Sequence, residues 1–255
     1  MHRFFSEKLE IGRDILHQLK NVLQLKQGEK IILFDGSGYD FISEFTGEEA
    51  KIVEKVLNRR EPERKIFLFQ SLLKKDKMEW IFQKGTEVGV FEFIPVLSAR
   101  SIKKDFNQKR AEKIIKEAAE QSGRAVLPKI HETIDFEKAL EFVQKERLFG
   151  IITDPNSKKH ILESLKEART ALFVGPEGGW TEEEVGEAKE CGFKAVSLGR
   201  LNLRAETAAV IAPKICAAMY NLEILEESIQ DLKLTYVKYQ TFFSLLLKNL
   251  HLYLF

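Results

Sequence analysis

Residues 172–192 read LFVGPEGGWTEEEVGEAKECG. Three apolar residues run into a Gly-Pro break, which is how a short buried strand ends. Gly175, Pro176, Glu177, Gly178 and Gly179 form a loop, and Thr181 then stands where a helix N-cap belongs, with Glu184 three residues on. That spacing is a capping box, in which the two side chains satisfy each other's backbone N–H groups. Strand, glycine loop, helix is one unit of an α/β fold. Two readings of the loop stand at this point. It is an ordinary strand-to-helix turn, or its glycines let the backbone approach a ligand beside the unpaired N–H groups of the helix start. No GK[ST] follows, and the glycines do not form GxGxxG, so neither nucleotide fingerprint is present.

The same rhythm recurs on both sides. LFGIITDP (148–155), TALFVGPEGG (170–179) and FKAVSLG (193–199) are short apolar runs bounded by glycine or proline. KMEWIFQKGTEVG (77–89) and NQKRAEKIIKEAAEQSG (107–123) have helical periodicity, the second stopped by Gly123, with FEFIPVLS (91–98) extended between them. KKHILESLKEA (158–168) reads as a further helix. Alternation of this kind predicts a parallel α/β sheet. A second loop of interest then follows the last run, LGRLNLRAETA (198–208), with a helix expected from Glu206. Glu206 suits a helix N-terminus and Thr207 is a candidate cap, whereas Arg204 opposes the helix dipole. It is tolerable beside Glu206 or Glu177, or facing an anion. Two such loops at the carboxyl ends of parallel strands lie where open α/β sheets bind ligands.

Working towards the N-terminus, the pattern becomes mostly β. KIILFDGSG and KIFLFQ read as strands with DGSG (35–38) as a turn, and DILHQLKNVLQL (14–25) reads as one short amphipathic helix. We therefore expect a β module over 1–67, an α/β domain over 68–225, and an extra tail over 226–255. Within the tail, apolar residues recur at three- and four-residue steps and lysines interrupt them, so an amphipathic helix is expected rather than a membrane span.

The 255 residues are 44% hydrophobic and 31% charged, with a net charge of +1, the balance of a soluble globular chain. The two cysteines, Cys191 and Cys216, are far apart and make no CxxC, and the five histidines lack ligand spacing. No metal site is expected. MHRFFSEKLEIGRDI contains no apolar run of the kind a signal peptide needs, so a cytoplasmic location is expected. Positive charge gathers around Arg100, Lys103, Lys104, Lys109, Arg110, Lys113 and Lys116. This is either a solvated helix face or a nucleic-acid footprint.

Taken in order, KGTEVGVFEFIPVLSARS, EAAEQSGRAVLPKI, FVGPEGGWTEEEV and VSLGRLNLRAETAAV resemble the RsmE family, methyltransferases of the SPOUT class that act on N3 of a uridine in 16S ribosomal RNA. HRFF and LKNVLQLKQGEKIILFDGSG are similar to that family's PUA-like domain. The resemblance covers roughly residues 1–222. It departs at Arg200, Leu201 and Asn202, where the family commonly has Pro-Arg-Ile. What it implies is a parallel-sheet domain tied in a trefoil knot, preceded by a small PUA-like β-barrel. It further implies a homodimer, with 16S rRNA or the assembled small subunit as substrate. S-adenosylmethionine is the implied cofactor, held by Thr153, by Val174, Gly175, Pro176, Glu177, Gly178 and Gly179, and by Leu198, Gly199, Leu203, Arg204, Glu206 and Thr207. Arg3, Arg100, Lys103, Lys104 and Arg110 are the candidate RNA ligands.

Uridine N3 is a weak acid, so its methylation needs a route for the proton and donors for charge on O2 and O4. Arg204 and Arg124 are the candidate donors, and Glu177 the candidate carboxylate that accepts the proton or orients the base. Each has a plainer reading: a salt bridge for Arg124, loop-holding for Glu177, and packing for Trp180. Two rival functions are a non-catalytic RNA-binding protein, which does not need the two loops, and a phosphate-binding hydrolase, which lacks a nucleophile motif.

Overall fold

A computed structural model of the chain describes residues 1–102, 105–164 and 167–218. All of these but the last lie in one compact unit, Met1–Ala217. Lys103, Lys104 and the 226–255 tail, each singled out in the sequence, lie outside the described residues.

The N-terminal strands are β1 (Arg3–Phe5), β2 (Lys30–Phe34), β3 (Tyr39–Phe45) and β4 (Ala50–Leu57), hydrogen-bonded in that order. β1 runs parallel to β2, the other pairs are antiparallel, and a register irregularity at Ile42/Ser43 bends the β3–β4 pair. The expected amphipathic helix is shorter than its pattern: α1 (Arg13–His17) passes into a single π-helical turn over Gln18–Val22. It still places Ile15 and Leu19 in a core with Phe4, Ile31, Leu33, Phe41 and Phe45.

The second sheet holds β5 (Lys65–Ser71), β6 (Glu92–Leu97), β7 (Lys129–Ile130), β8 (Ile134–Asp135), β9 (Phe149–Thr153), β10 (Arg169–Val174) and β11 (Lys194–Val196). Its order is β11-β9-β10-β5-β6-β7, with β8 also paired to β6, and every pairing is parallel. A boundary at 67/68 would cut β5, which pairs with β6 and with β10 beyond that point. KIFLFQ thus belongs to the second sheet, because strand periodicity does not say which sheet a strand joins. The helices are α2 (Lys75–Val88), α3 (Gln108–Ser122), α4 (Phe136–Lys145) and α5 (Glu182–Glu190), and residues 205–217 are also helical. Gly89 and Gly123 end α2 and α3 in the left-handed conformation (φ 98° and 81°). KKHILESLKEA yields only one 3₁₀ turn, Ile161–Glu163, with residues 165 and 166 outside the described set. Phe69 and Phe173, from the central strands, stack at 4.4 Å in a core completed by Phe67, Phe136, Phe193 and Trp180.

A polar seam joins the two sheets. Arg3 donates to both carboxylate oxygens of Asp40 (2.7 and 3.0 Å) and to the Arg124 carbonyl. Asn58 donates to Asp40 and to the carbonyl of Gly123. Arg124, only 5% exposed, donates to Glu61 and to the carbonyls of Thr86 and Val90, and Glu61 in turn accepts from the N–H groups of Ala125 and Val126. Burial tends to raise the Asp40 pKa, but the hydrogen bonds from Arg3 and Asn58 outweigh it and hold the carboxyl below its ordinary value.

Candidate functional site

Five parallel strands end on one rim, and a cavity of about 670 Å³ opens there. Its walls are Thr153–Asn156 after β9, Val174–Trp180 after β10, Val196 and Leu198–Gly199 at the end of β11, and Leu201–Ala205. Lys77 from the first turn of α2 and Arg100 after β6 complete it. This is the carboxyl-edge position at which an open α/β sheet binds ligands.

Local chemistry shapes each wall. Asp154 N–H donates to the Val196 carbonyl (2.8 Å), and the Thr153 hydroxyl donates to the Phe173 carbonyl (3.0 Å), tying three strand ends together. The Gly175–Gly179 loop turns on a bond from Gly179 N–H to the Pro176 carbonyl, with Gly179 at φ 68°, a conformation open to glycine. The capping box read from sequence is formed: Thr181 Oγ1 accepts from Glu184 N–H, and Glu184 Oε2 accepts from Thr181 N–H. Its other oxygen, Oε1, accepts from Ala99 N–H at 2.8 Å, so one buried carboxylate holds the loops after β6 and β10 together. Arg100 adds bonds to the carbonyls of Gly178 and Trp180.

Of the residues expected to hold a cofactor, Thr153, Val174, Gly175, Pro176, Glu177, Gly178, Gly179, Leu198, Gly199, Leu203 and Arg204 line this cavity. Glu206 and Thr207 do not line it. The helix begins one residue earlier than expected, at Ala205, its first bond running from Ala208 N–H to the Arg204 carbonyl. Thr207 therefore sits inside the first turn and does not cap it.

The expected arginines separate cleanly. Arg204 lies exposed on the cavity wall, and its guanidinium makes no hydrogen bond or ion pair to any described residue. Arg124 does not line the cavity, and its guanidinium is taken up by Glu61 and two carbonyls, so the salt-bridge reading replaces the catalytic one. Arg3 is likewise buried against Asp40, which leaves it no free face for a phosphate. Arg100 is engaged on the glycine loop, and Arg110 is exposed and paired with Glu79 at 3.3 Å.

Lys77 is a site residue that no sequence pattern points to. Its ammonium contacts Glu177 at 3.0 Å and Glu206 at 3.3 Å, joining a carboxylate of the glycine loop to one in the first turn of the helix that starts at Ala205. These partners, Glu177 foremost, hold the lysine's pKa above its ordinary value despite some desolvation. Trp180 packs against Phe136 and Phe173 as a core residue, yet it also lines the cavity. Its buried Nε1 has no partner among the described residues. A Cβ at Gly175 would come within 3.2 Å of that nitrogen, so the glycine keeps the approach open. Backbone-lined walls, an orphan indole N–H, and both Asp154 and Arg204 on the walls fit a ligand that combines an aromatic base with an amino-acid zwitterion.

Among the described residues no cluster of histidine, cysteine, aspartate and glutamate could hold a metal, and no helix is long and apolar enough to cross a membrane. Cys216 is buried and its thiol is pushed up to about 12, chiefly by burial.

A family model for an RNA methyltransferase domain matches residues 59–217. The ribosomal RNA small subunit methyltransferase E of Bacillus subtilis (strain 168) is 34% identical, aligned over 88% of this chain and 98% of its own. The protein of the same name from Mesomycoplasma hyopneumoniae (strain 232) is 31% identical, over 85% of this chain and 99% of its own. A crystal structure of a ribosomal RNA small subunit methyltransferase E from Neisseria gonorrhoeae, bound to S-adenosyl methionine, superposes with a TM-score of 0.79. It has 34% identity and covers 87% of this chain and 98% of that one.

Proposed function

The chain belongs to the ribosomal RNA small subunit methyltransferase E family, and on that footing we propose how its residues carry out S-adenosylmethionine-dependent methylation of 16S rRNA. The observation that carries the reading is Arg204, a guanidinium with no partner among the described residues, on the wall of a cavity otherwise built largely from strand-end backbone. The target atom is N3 of a uridine, the activity of the family. S-adenosylmethionine, when bound, supplies an electrophilic methyl group on a sulfonium sulfur. The backbone of the loops after β9, β10 and β11 holds it, with the Trp180 indole N–H available as a donor.

Arg204 serves the nucleobase. The N3 proton passes to solvent water, which leaves negative charge on O2 and O4, and a planar guanidinium whose donors no described residue takes stabilises that anion. N3 then forms its bond to carbon as the carbon–sulfur bond breaks, and the electron pair stays on sulfur. Glu177, already held by Lys77, orients the base. Flanking phosphates meet the exposed basic face of α3, with Arg110 and Lys113 upon it.

The finer architecture belongs to the same proposal. Residues before about 59 form a PUA-like barrel that positions the RNA; in support, β1–β4 enclose their own core. The region around β11 and residues 198–208 forms a trefoil knot, which accords with β10 lying between the earlier strands β5 and β9. The active form is a cytoplasmic homodimer; the exposed apolar side chains of Leu201 and Leu203 on the cavity wall, and of Ile211 on the helix that follows, support the dimer.

The test is methyl transfer from labelled S-adenosylmethionine to small-subunit RNA and to assembled subunits, with nucleosides mapped by mass spectrometry. A single N3-methyluridine is expected; methylation on ribose, or on another base, overturns the assignment of N3.

A further inference from the structure

A lysine in the first turn of a helix faces the positive end of the helix dipole, so Lys77 needs compensation where it stands. It has two partners, and neither comes from its own helix. Glu177 belongs to the loop after β10, and Glu206 to the first turn of the helix over 205–217. We propose that Lys77 is a positioning residue for S-adenosylmethionine, a clasp whose ammonium holds the two cavity loops together by pairing with both carboxylates. The proposal rests on the methyltransferase reading above.

The physical case is one of charge balance. Glu177 and Glu206 both lie within ion-pair distance of one nitrogen, so without that cation two carboxylates would face each other at close range. The other charged groups on the walls cannot take its place: Arg100 is bound to the Gly178 and Trp180 carbonyls, Asp154 adds a further negative charge, and Arg204 makes no contact with either glutamate. Glu206 Oε2 is buried and accepts no hydrogen bond of good geometry, so Lys77 is the charge that makes its burial tolerable. Lys77 itself is only 25% exposed in its side chain, which limits how far water can replace the pair. Because Glu177 sits beside Gly178 and Gly179, and Glu206 follows Arg204 and Ala205, displacing either carboxylate moves backbone that lines the cavity.

Binding of S-adenosylmethionine to the full-length protein, measured by calorimetry near neutral pH, tests this directly. Lys77→Met should weaken binding about tenfold or more, since uncompensated like charges at this range repel strongly. Lys77→Arg should stay near the wild type, and the double variant Lys77→Met with Glu206→Gln should regain much of the loss. A loss in Lys77→Met that is not relieved by Glu206→Gln would overturn the proposal, as would wild-type affinity in the Lys77→Met variant. Should the wild-type protein itself bind no S-adenosylmethionine, the methyltransferase reading fails instead, and the two failures are distinct.

Discussion

Arg124 and Arg204 are eighty residues apart in one chain and have opposite surroundings. Arg124 is buried at the seam between the two sheets, with its donors taken by Glu61 and by two main-chain carbonyls. Arg204 stands on the cavity wall with none of its donors taken by a described residue. The seam illustrates a general condition: a buried guanidinium is stable only when its donors are matched, and matching them leaves nothing for a ligand. The cavity shows the converse. On the reading proposed above, an arginine that no described side chain holds, at a helix start that disfavours it, meets an anion that comes from outside.

That contrast breaks if the two arginines respond alike to substitution. The largest effect is expected at the seam, where Arg124→Ala strands the Glu61 carboxylate and should cost about 3–5 kcal/mol in chemical denaturation. Methyl transfer per folded molecule should stay close to the wild type, because Arg124 does not line the cavity. A selective loss of turnover in a stable Arg124→Ala protein would restore it to the catalytic set. Next comes Arg204→Ala, for which turnover should fall by about 10²–10³, or ~2.7–4 kcal/mol of barrier, with the melting temperature unchanged. Arg204→Lys should recover little, since a point charge does not reproduce a planar fork.

The smallest of the three sharpens the seam side by titration. Asp40 has a pKa below its ordinary value in the folded protein, so the unfolded chain binds more protons through that range. Its stabilising contribution is present above the ordinary aspartate range of about 4 and is lost as the pH falls through the folded value. Asp40→Asn should therefore lower stability by roughly 1.5–3 kcal/mol near neutral pH, the size of a hydrogen bond to a charged group. Melting curves for the two proteins should converge once the pH lies below the folded value. A gap that persists there would mean the loss lies in packing rather than charge.

Local chemistry was legible in the sequence, and long-range pairing was not. The capping box of Thr181 and Glu184 and the stop at Gly123 could be read because each depends on residues a few positions apart. The two loops around Gly175–Gly179 and Leu198–Arg204 could be placed because alternating elements put them at strand ends. Lys77 could not be found this way: its nearest partner lies a hundred residues on, and nothing in KKDKMEW signals a carboxylate elsewhere. Arg124 and Arg3 were misjudged for the same reason, their acceptors Glu61 and Asp40 being 63 and 37 residues away. KIFLFQ was recognisable as a strand, but its sheet is decided by β6 and β10, not by its own apolar run.

The central pairing of the parallel sheet also has a consequence for synthesis. Lys65 pairs with Arg169 and Phe69 with Phe173, so β5 waits for about a hundred further residues before β10 arrives. At bacterial elongation rates that delay is on the order of 5–20 s. During it β5 has at most β6 on one side, and its other edge, with Ile66, Phe67, Leu68 and Phe69 along it, is open to pairing with any other chain. The nascent protein therefore carries a strongly apolar strand unprotected while still attached to a ribosome, and a trigger of aggregation during expression is to be sought in β5, before any surface of the finished fold.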